Sequence, residues 1–237
     1  YYDSYDVRKF GVDDIHTFVD IGANVGTVSL MAKILMPKTR VISIEPCKET
    51  FDEFLRRTRS CWGNITECAN IALGDGSKLY INKIRSSGRH RRNAEFQFFT
   101  DKEREEQKVL TEYSIDSFSL SALFEYFQVD TTKPYAIKID CEGGERFILE
   151  EGEKAFGIIR NSVQIMMEIH LGIGGSAEQW EAFLQRLQPT HNIRYGYFDL
   201  PRKNEKGERN LHRKWIFTPF ASFVRRGRWH IVISLRV

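Results

Sequence analysis

The sequence predicts an α/β protein built on a mostly parallel sheet, and three short segments carry this prediction. Each is an apolar stretch of strand length with an acidic residue at or near its end: FVDIG at 18–22, RVISIE at 40–45 and YAIKID at 135–140. Buried parallel strands have this near-continuous apolar pattern. A glycine-containing turn follows the first and third segments, and each turn leads into residues with helical spacing. Strand, turn and helix in this order form the repeating unit of an open α/β sheet.

The first of these segments, with the turn that follows it, indicates a ligand site. Gly22 and Gly26 flank the turn, and glycine lets a backbone approach a ligand that a Cβ atom would keep away. The first amides of the following helix have no intrahelical partner and are free to face that ligand. The dinucleotide fingerprint has a glycine where this chain has Asn24, so a pyrophosphate is a poor match.

The pattern D-x-G-x-x-x-G, which starts at Asp20, resembles motif I of the class I S-adenosylmethionine (SAM) methyltransferases. Taken alone, this motif leaves open a structural turn in another α/β protein. Glu45 ends the second strand 23 residues after Gly22 (45 − 22). An acidic residue at about this spacing accepts hydrogen bonds from the ribose hydroxyls of a bound nucleoside.

The run KIDCEGGE at 138–145 resembles the K-I-D-x-E-G-x-E signature of the FkbM-type methyltransferases. The resemblance extends from about His16 to about His170 and includes EP at 45–46, IALGDG at 71–76 and YSIDSFSL at 113–120. Cys141 replaces a residue that is usually aliphatic, and Gly144 replaces one that is often alanine. The resemblance implies a SAM-dependent O-methyltransferase that acts on a hydroxyl of a sugar or glycoconjugate, for example a deoxyhexose in a glycan.

The motifs and the resemblance predict which residues bind the methyl donor. Asp20 would bind the amino group of the methionine portion, Glu45 the ribose, and Asn70 the edge of the adenine. The complete predicted set of cofactor-binding residues is Asp20, Gly22, Ala23, Asn24, Gly26, Glu45, Pro46, Asn70, Ala72, Asp140 and Glu142.

Transfer to a hydroxyl requires a group that removes its proton. His170 is the predicted general base because an ordinary imidazole titrates near neutrality. Glu168, two residues earlier on the same strand face, would orient the ring or act as the base. Asp140 would lie beside the reactive methyl group, and Lys138 would either stabilise a developing alkoxide or form a salt bridge. A second mechanism places Mg²⁺ or Mn²⁺ on Asp140, Glu168 and His170.

The remaining elements complete a Rossmann-like fold with seven mostly parallel strands and helices on both faces. Helices are predicted at 27–34, 48–59, 116–127, 145–156 and 178–187, and further strands of the sheet at 65–68, 163–169, 193–200 and 229–237. Residues 78–84 are predicted to form an extra strand. The last strand is expected to be an antiparallel edge. Residues 85–107 form an insertion with an arginine-rich first half, interpreted as a solvated loop or as a substrate lid.

Length and composition limit the possible classes. The 237 residues are expected to form one domain over 1–237, and the start at Tyr1 rather than Met fits a domain taken from a longer polypeptide. No apolar run is long enough to cross a bilayer. The net charge of +3 is too small to indicate a nucleic-acid partner. The four cysteines form no C-x-x-C pair and no zinc spacing, which favours a cytoplasmic location.

Two alternatives stay open. An RNA methyltransferase is favoured by the basic insertion, but IDCEGG is not the N/D-P-P-aromatic tetrad of enzymes that methylate exocyclic amino groups. A non-catalytic binding domain of the same fold is the other. The expected partners are a sugar or glycoconjugate acceptor and, for an excised domain, neighbouring glycosyltransferases.

Overall fold

The fold is described by a computed structural model that covers residues 14–62, 67–84, 95–107, 113–170, 173–198, 215–217 and 229–233. The strands are β1 Thr17–Ile21, β2 Arg40–Ile44, β3 Glu67–Ala69, β4 Ala72–Leu73, β5 Lys78–Ile84, β6 Glu95–Phe99, β7 Tyr113–Phe118, β8 Tyr135–Ile139, β9 Gln164–Ile169, β10 Ile193–Phe198, β11 Trp215–Phe217 and β12 Trp229–Ile233. The helices are α1 Thr27–Leu35, α2 Lys48–Trp62, α3 Asp101–Gln107, α4 Leu120–Tyr126, α5 Arg146–Glu151, α6 Glu153–Asn161 and α7 Ala177–Leu187.

The main sheet has eight strands within the described ranges, in the order β11-β10-β12-β9-β8-β1-β2-β3. The five strands from β9 to β3 are parallel, as the apolar pattern predicted. The prediction of seven strands was wrong, because the short strand β11 pairs with β10 and a second sheet branches from the first. The last strand is antiparallel, as expected, but it lies between β10 and β9 rather than at an edge.

Both faces of the main sheet are covered, and the alternation of side chains along each strand decides which residues face which way. Val19, Ile42 and Ile137 belong to the large core cluster that also contains residues of α4, α6 and α7. Phe18 and Val41 point the other way and pack with Ala32 of α1. The prediction of helices on both faces is therefore confirmed.

The second sheet has the order β4-β7-β5-β6. The extra strand predicted over 78–84 is confirmed as β5, but the other three strands of this sheet were not predicted. Residues 113–118 form strand β7, and the helix predicted over 116–127 begins only at Leu120, after the N-cap Ser119. The second half of the predicted insertion forms β6 and α3. Its arginine-rich part, residues 85–94, lies outside the described residues.

One predicted helix is broken in two. The segment predicted over 145–156 forms α5 and α6, which are separated by Gly152 with a φ of 68°. That backbone conformation is open to glycine and costly for other residues. No helix within the described parts of the chain combines the length and the apolar character needed to cross a membrane.

Candidate active site

The candidate site lies where the parallel strands end. Because β1, β2, β8 and β9 are parallel, their carboxyl ends meet at one edge of the sheet, where ligands bind in open α/β folds. The glycine turn after β1 is tied to the end of β2: the N–H groups of Gly22 and Ala23 donate to the carbonyl of Ile44 at 3.0 and 2.8 Å. These hydrogen bonds place the glycine turn beside Glu45, which follows β2.

Gly22 and Gly26 are required in this turn by their backbone angles and by their close neighbours in the fold. Both have positive φ angles, of 76° and 81°. A Cβ atom at Gly22 would lie 1.8 Å from the carbonyl oxygen of Asp140, and one at Gly26 would lie 2.1 Å from the ring of Phe54. The missing side chains therefore make room for the end of β8 and for helix α2, and the approach of a ligand to Gly22, which lines a pocket, stays a prediction.

Glu45 links the glycine turn to the second strand. Its carboxylate is almost fully buried and accepts hydrogen bonds from the N–H groups of Asn24 and Cys47, both at 2.9 Å. Burial raises the pKa of Glu45 to about 7, although these two hydrogen bonds and the charge of Lys138 oppose the increase. Asn24 holds a strained φ of 52°, a feature that often marks ligand sites.

The side chain of Asn70 stabilises the backbone at Glu45 and Pro46. Its side-chain amide donates to the carbonyls of Glu45 and Pro46, at 2.8 and 3.0 Å, and so fixes the segment that follows β2. The predicted contact with an adenine edge would fall to the amide oxygen, because the nitrogen is engaged. Ala72 is buried in β4, close to this segment.

Asp20 and Lys138 form a buried ion pair between β1 and β8. Their charged atoms are 3.2 Å apart, Asp20 is fully buried, and it also accepts a hydrogen bond from Ser29 at 2.5 Å. The ammonium group donates to the carbonyl of Gly22 at 2.5 Å. Burial lowers the pKa of Lys138, but Asp20 and Asp140 more than offset this and raise it. The geometry thus favours the salt bridge over alkoxide stabilisation for Lys138.

The turn at 140–145 is organised by a residue that the sequence did not single out. Glu145 is fully buried, and its carboxylate accepts the N–H groups of Cys141 and Gly143, both at 3.0 Å. The turn holds Glu142 at a φ of 50°. The E-x-x-E spacing of Glu142 and Glu145 within KIDCEGGE was visible, but nothing in it distinguished an acceptor for the turn from a solvated helix start.

Glu145 also reaches His170 at the end of β9. Nδ1 of His170 lies 3.1 Å from Oε1 of Glu145, while Nε2 lies 3.4 Å from Glu142 and 3.5 Å from Glu168. Burial lowers the pKa of His170, but the hydrogen bond to Glu145 and the three negative charges outweigh it and raise the pKa to about 10. The imidazole is therefore protonated at neutral pH, which conflicts with the basis on which it was predicted to be a general base.

The pKa of Glu142, unlike that of His170, lies near neutrality. Burial raises its pKa to about 7; His170 opposes this increase, and the negative charges of Asp140, Glu168 and Glu145 add to it. Its side chain is still 48% exposed at the edge of the sheet. Among the carboxylates around His170, Glu142 thus combines access to solvent with a pKa near neutrality.

The predicted metal ligands are partly brought together. Asp140, Glu142 and His170 each offer one ligand atom, and these atoms lie within 4.8 Å of one another. Glu168, which was predicted in place of Glu142, lies beside the same imidazole nitrogen. Carboxylate oxygens with one imidazole suit Mn²⁺ or Mg²⁺.

A pocket opens next to these groups. It is an open depression of about 240 Å³, a volume that includes space open to solvent, and it is lined by Ile21, Gly22, Ile44, Pro46, Ala72, Leu73, Phe98, Cys141 and Gly144. Gly22, Pro46 and Ala72 were predicted as donor-binding residues. Cys141 and Gly144 were noted as departures from the family signature. Sequence reasoning missed Ile21, Ile44 and Leu73 because their pattern is that of ordinary strand residues, and Phe98 because it comes from the insertion.

Several solved structures of methyltransferases are similar to this chain at 9 to 11% sequence identity. The most similar solved structures include precorrin-6y C5,15-methyltransferase from Geobacter metallireducens GS-15 (11% identity, 98% of this chain and 85% of that chain, TM-score 0.48). They also include an rRNA methylase from Streptococcus thermophilus (11% identity, 99% of this chain and 94% of that chain, TM-score 0.47). A third is magnesium protoporphyrin IX methyltransferase from Synechocystis PCC 6803 with bound SAM (9% identity, 98% of this chain and 74% of that chain, TM-score 0.42).

A search among curated proteins found no match. The profile of the Methyltransferase FkbM domain matches residues 20–197. That range contains the glycine turn, Glu45, the KIDCEGGE turn and His170, and it spans well over half of the 237 residues. The resemblance expected from the motifs is thereby confirmed: the chain belongs to the FkbM methyltransferase family and is a SAM-dependent methyltransferase.

Proposed function

We propose that this protein transfers a methyl group from SAM to a hydroxyl of a sugar or glycoconjugate. The observation that carries the proposal is the cluster of Glu142, Glu168 and His170 at the strand ends, next to the pocket lined by Cys141 and Gly144. A hydroxyl must lose its proton as its oxygen attacks the methyl carbon and the bond from that carbon to sulfur breaks. A carboxylate with a pKa near neutrality at this position therefore supports an alcohol acceptor. Carboxylates also accept hydrogen bonds from the hydroxyls that surround a reacting sugar carbon.

In this proposal Glu142 is the general base and His170 holds it in place. Because the imidazole is protonated at neutral pH, it holds a proton rather than accepts one, and its charge partly balances Glu142, Glu168 and Glu145. Glu142 becomes ionised near pH 7 and is exposed enough to meet an acceptor. Glu168 remains a second candidate for the base, since it lies as close to the imidazole.

A divalent metal at Asp140, Glu142 and His170 would lower the pKa of a bound acceptor hydroxyl. These side chains supply two carboxylates and one imidazole nitrogen at suitable separations. Metal binding would require His170 to give up its Nε2 proton, so a metal and an imidazolium are alternative ways to balance the same negative charge. Addition of Mn²⁺ and of a chelator separates these two mechanisms.

RNA is the second candidate acceptor. The arginines at 85, 89, 91 and 92 favour it, and they lie outside the described residues. Against it, the edge beside the donor pocket carries Asp140, Glu142 and Glu168, with His170 among them and the buried Lys138 beside Asp140. Such an edge repels a phosphate backbone. A non-catalytic binding domain is the weaker alternative, because it gives no reason for the clustered titratable groups.

We further propose that the protein acts in the cytoplasm, alone or beside glycosyltransferases that build its acceptor. The thiols of Cys47, Cys68 and Cys141 are free, which fits a reducing compartment.

The test is calorimetric titration with SAM and S-adenosylhomocysteine, followed by transfer of labelled methyl groups to a panel of nucleotide sugars, glycans and RNA. We expect micromolar binding of both SAM and S-adenosylhomocysteine. We also expect the label to appear on a carbohydrate and to resist alkaline hydrolysis, as a methyl ether does. Labelling of RNA alone would overturn the carbohydrate proposal. If neither SAM nor S-adenosylhomocysteine bound, the non-catalytic domain would be favoured.

A further inference from the structure

The second sheet begins at the candidate donor site, because its first strand, β4, lines the pocket. After β3 ends at Ala69 in the main sheet, the chain passes Asn70 and enters β4, which pairs with β7. From there β5 pairs with β7 and β6 with β5, so that Phe98 of β6 lies opposite Ile81 of β5. The short path from β3 to β4 keeps this sheet at the carboxyl edge of the main sheet, next to the glycine turn.

Phe98 is the residue of β6 that reaches the pocket. It lines the same space as Ile21 and Ile44 from the main sheet and as Ala72 and Leu73 from β4. Its ring is partly buried and packs against the small cluster of Ala72, Leu79 and Phe147. The pocket therefore has apolar walls contributed by both sheets, and one of these walls is a flat aromatic ring.

The polar neighbours of this pocket indicate which part of a ligand would enter it. Pro46 lines the pocket and follows Glu45, whose carboxylate is predicted to hold the ribose. In SAM the group attached to the ribose on one side is the adenine, which is flat and largely apolar. Aromatic side chains stack on purine rings and contribute more to binding than the buried area alone.

We propose that Phe98, from the strand inserted between β5 and α3, forms the outer wall of the adenine subsite by stacking on the purine ring of the methyl donor. This inference rests on the proposed binding of SAM and adds a donor-binding residue outside the sequence motifs.

An ion pair fixes the position of this wall. Helix α3 begins two residues after β6 ends, and its Glu103 accepts a hydrogen bond from Arg146 at 2.8 Å and another from the N–H of Thr100 at 2.8 Å. Arg146 is the first residue of α5, directly after the KIDCEGGE turn. The turn that supplies Glu142 and Gly144 and the strand that supplies Phe98 are thus held together, so donor and acceptor positions are set by one connected unit.

The experiment compares Phe98→Ala and Phe98→Tyr with the wild type by calorimetry, using S-adenosylhomocysteine and 5′-methylthioadenosine. The second ligand has the same adenine and ribose but lacks the amino-acid portion. We expect Phe98→Ala to weaken both ligands by a similar factor of about ten, because both lose the stacked ring, and Phe98→Tyr to retain binding. Weaker binding of S-adenosylhomocysteine alone, or unchanged binding of both, would overturn the inference.

Leu79→Ala is the matched control. Leu79 is fully buried in the same small cluster but does not line the pocket, so its truncation loosens the second sheet without removing the wall. Binding is measured at a temperature where thermal unfolding shows all variants folded. If Leu79→Ala weakened both ligands as much as Phe98→Ala, sheet packing rather than the ring would be responsible and the inference would fail. If the wild type bound neither ligand, SAM binding itself would be refuted; a normal wild type with an unchanged Phe98→Ala would refute only the role of Phe98.

Discussion

Nδ1 of His170 lies 3.1 Å from Oε1 of Glu145, a carboxylate with no exposed surface that also accepts two backbone N–H groups of the preceding turn. One buried side chain therefore sets both the shape of the KIDCEGGE turn and the orientation of the imidazole at the end of β9. Because Nδ1 is engaged, Nε2 is the nitrogen that faces Glu142 and Glu168.

Replacement of Glu145 should affect the turn and the imidazole together. We expect Glu145→Ala to lower the free energy of unfolding by about 1–3 kcal/mol, because two buried N–H groups lose their acceptor. Glu145→Gln removes the charge and should lower the pKa of His170 from about 10, measured by NMR titration of the imidazole. Glu153→Gln, which removes a charge from an exposed pair with Arg186, is the control and should leave His170 unchanged. An unchanged pKa in Glu145→Gln would show that this contact does not set it.

The general base can be identified from the pH dependence of turnover. Ionisation of Glu142 near pH 7 predicts that turnover rises as the pH increases through about 7 and levels off above it. We expect Glu142→Gln to reduce turnover at least tenfold and to abolish this rise, with binding of S-adenosylhomocysteine retained. Glu168→Gln is the matched variant. If it removes the rise and Glu142→Gln does not, Glu168 is the base.

Loss of Glu45 should weaken donor binding. We expect Glu45→Ala to reduce the affinity for SAM at least tenfold by calorimetry, because the ribose loses its acceptor and the glycine turn loses the contact between Asn24 and Glu45.

Burial of Glu45 also predicts how stability changes with pH. The pKa of Glu45 in the folded protein is about 7 and lies above the ordinary value of 4.5. The stabilising contribution of Glu45 is therefore present below pH 4.5 and is lost as the pH rises to about 7.

The Glu45→Gln variant tests whether stability falls as the pH rises because Glu45 becomes ionised. Urea unfolding between pH 4.5 and 7 should show a shallower loss of stability with pH than the wild type. Part of the slope should remain, because Glu142 titrates over the same window with the same sign. An identical slope in wild type and Glu45→Gln would mean that burial does not raise the pKa of Glu45.

The buried pair of Lys138 and Asp20 should contribute to folding rather than to chemistry. We expect Lys138→Met to destabilise the protein by about 3–5 kcal/mol in urea unfolding, because Asp20 is left buried without its partner. The double variant Asp20→Asn, Lys138→Met should recover much of this loss. A stable Lys138→Met variant that binds SAM but has no turnover would instead identify Lys138 as catalytic.

Metal dependence is decided by chelation. If a divalent ion occupies Asp140, Glu142 and His170, EDTA should abolish turnover and Mn²⁺ or Mg²⁺ should restore it. Asp140→Asn should then raise the Mn²⁺ concentration needed for half-maximal turnover, whereas Glu178→Gln, at an exposed helix start, should not. Full turnover in the presence of EDTA would leave the imidazolium of His170 as the charge that balances the carboxylates.

The parts of the site that could be predicted are those set by local chemistry. Gly22 and Gly26 were recognised because a glycine turn between a strand and a helix lets the backbone approach a ligand, and Glu45 because it follows a buried strand at a fixed spacing from Gly22. The parts that could not be predicted depend on contacts between distant segments. Phe98 reaches the pocket only because β6 pairs with β5, and Trp215–Phe217 joins the sheet only by pairing with β10.

The sequence by itself determined the fold class, the family and the edge of the sheet where the site lies, because apolar period, glycine turns and motif spacing are local properties of the chain. Tertiary structure decided what the charged residues do there. It placed Lys138 in a buried ion pair, brought Glu145 to His170 across 25 residues of sequence, and raised the pKa of the imidazole above that of Glu142. Burial and neighbouring charge set a pKa, and both arise only when separate strands end side by side.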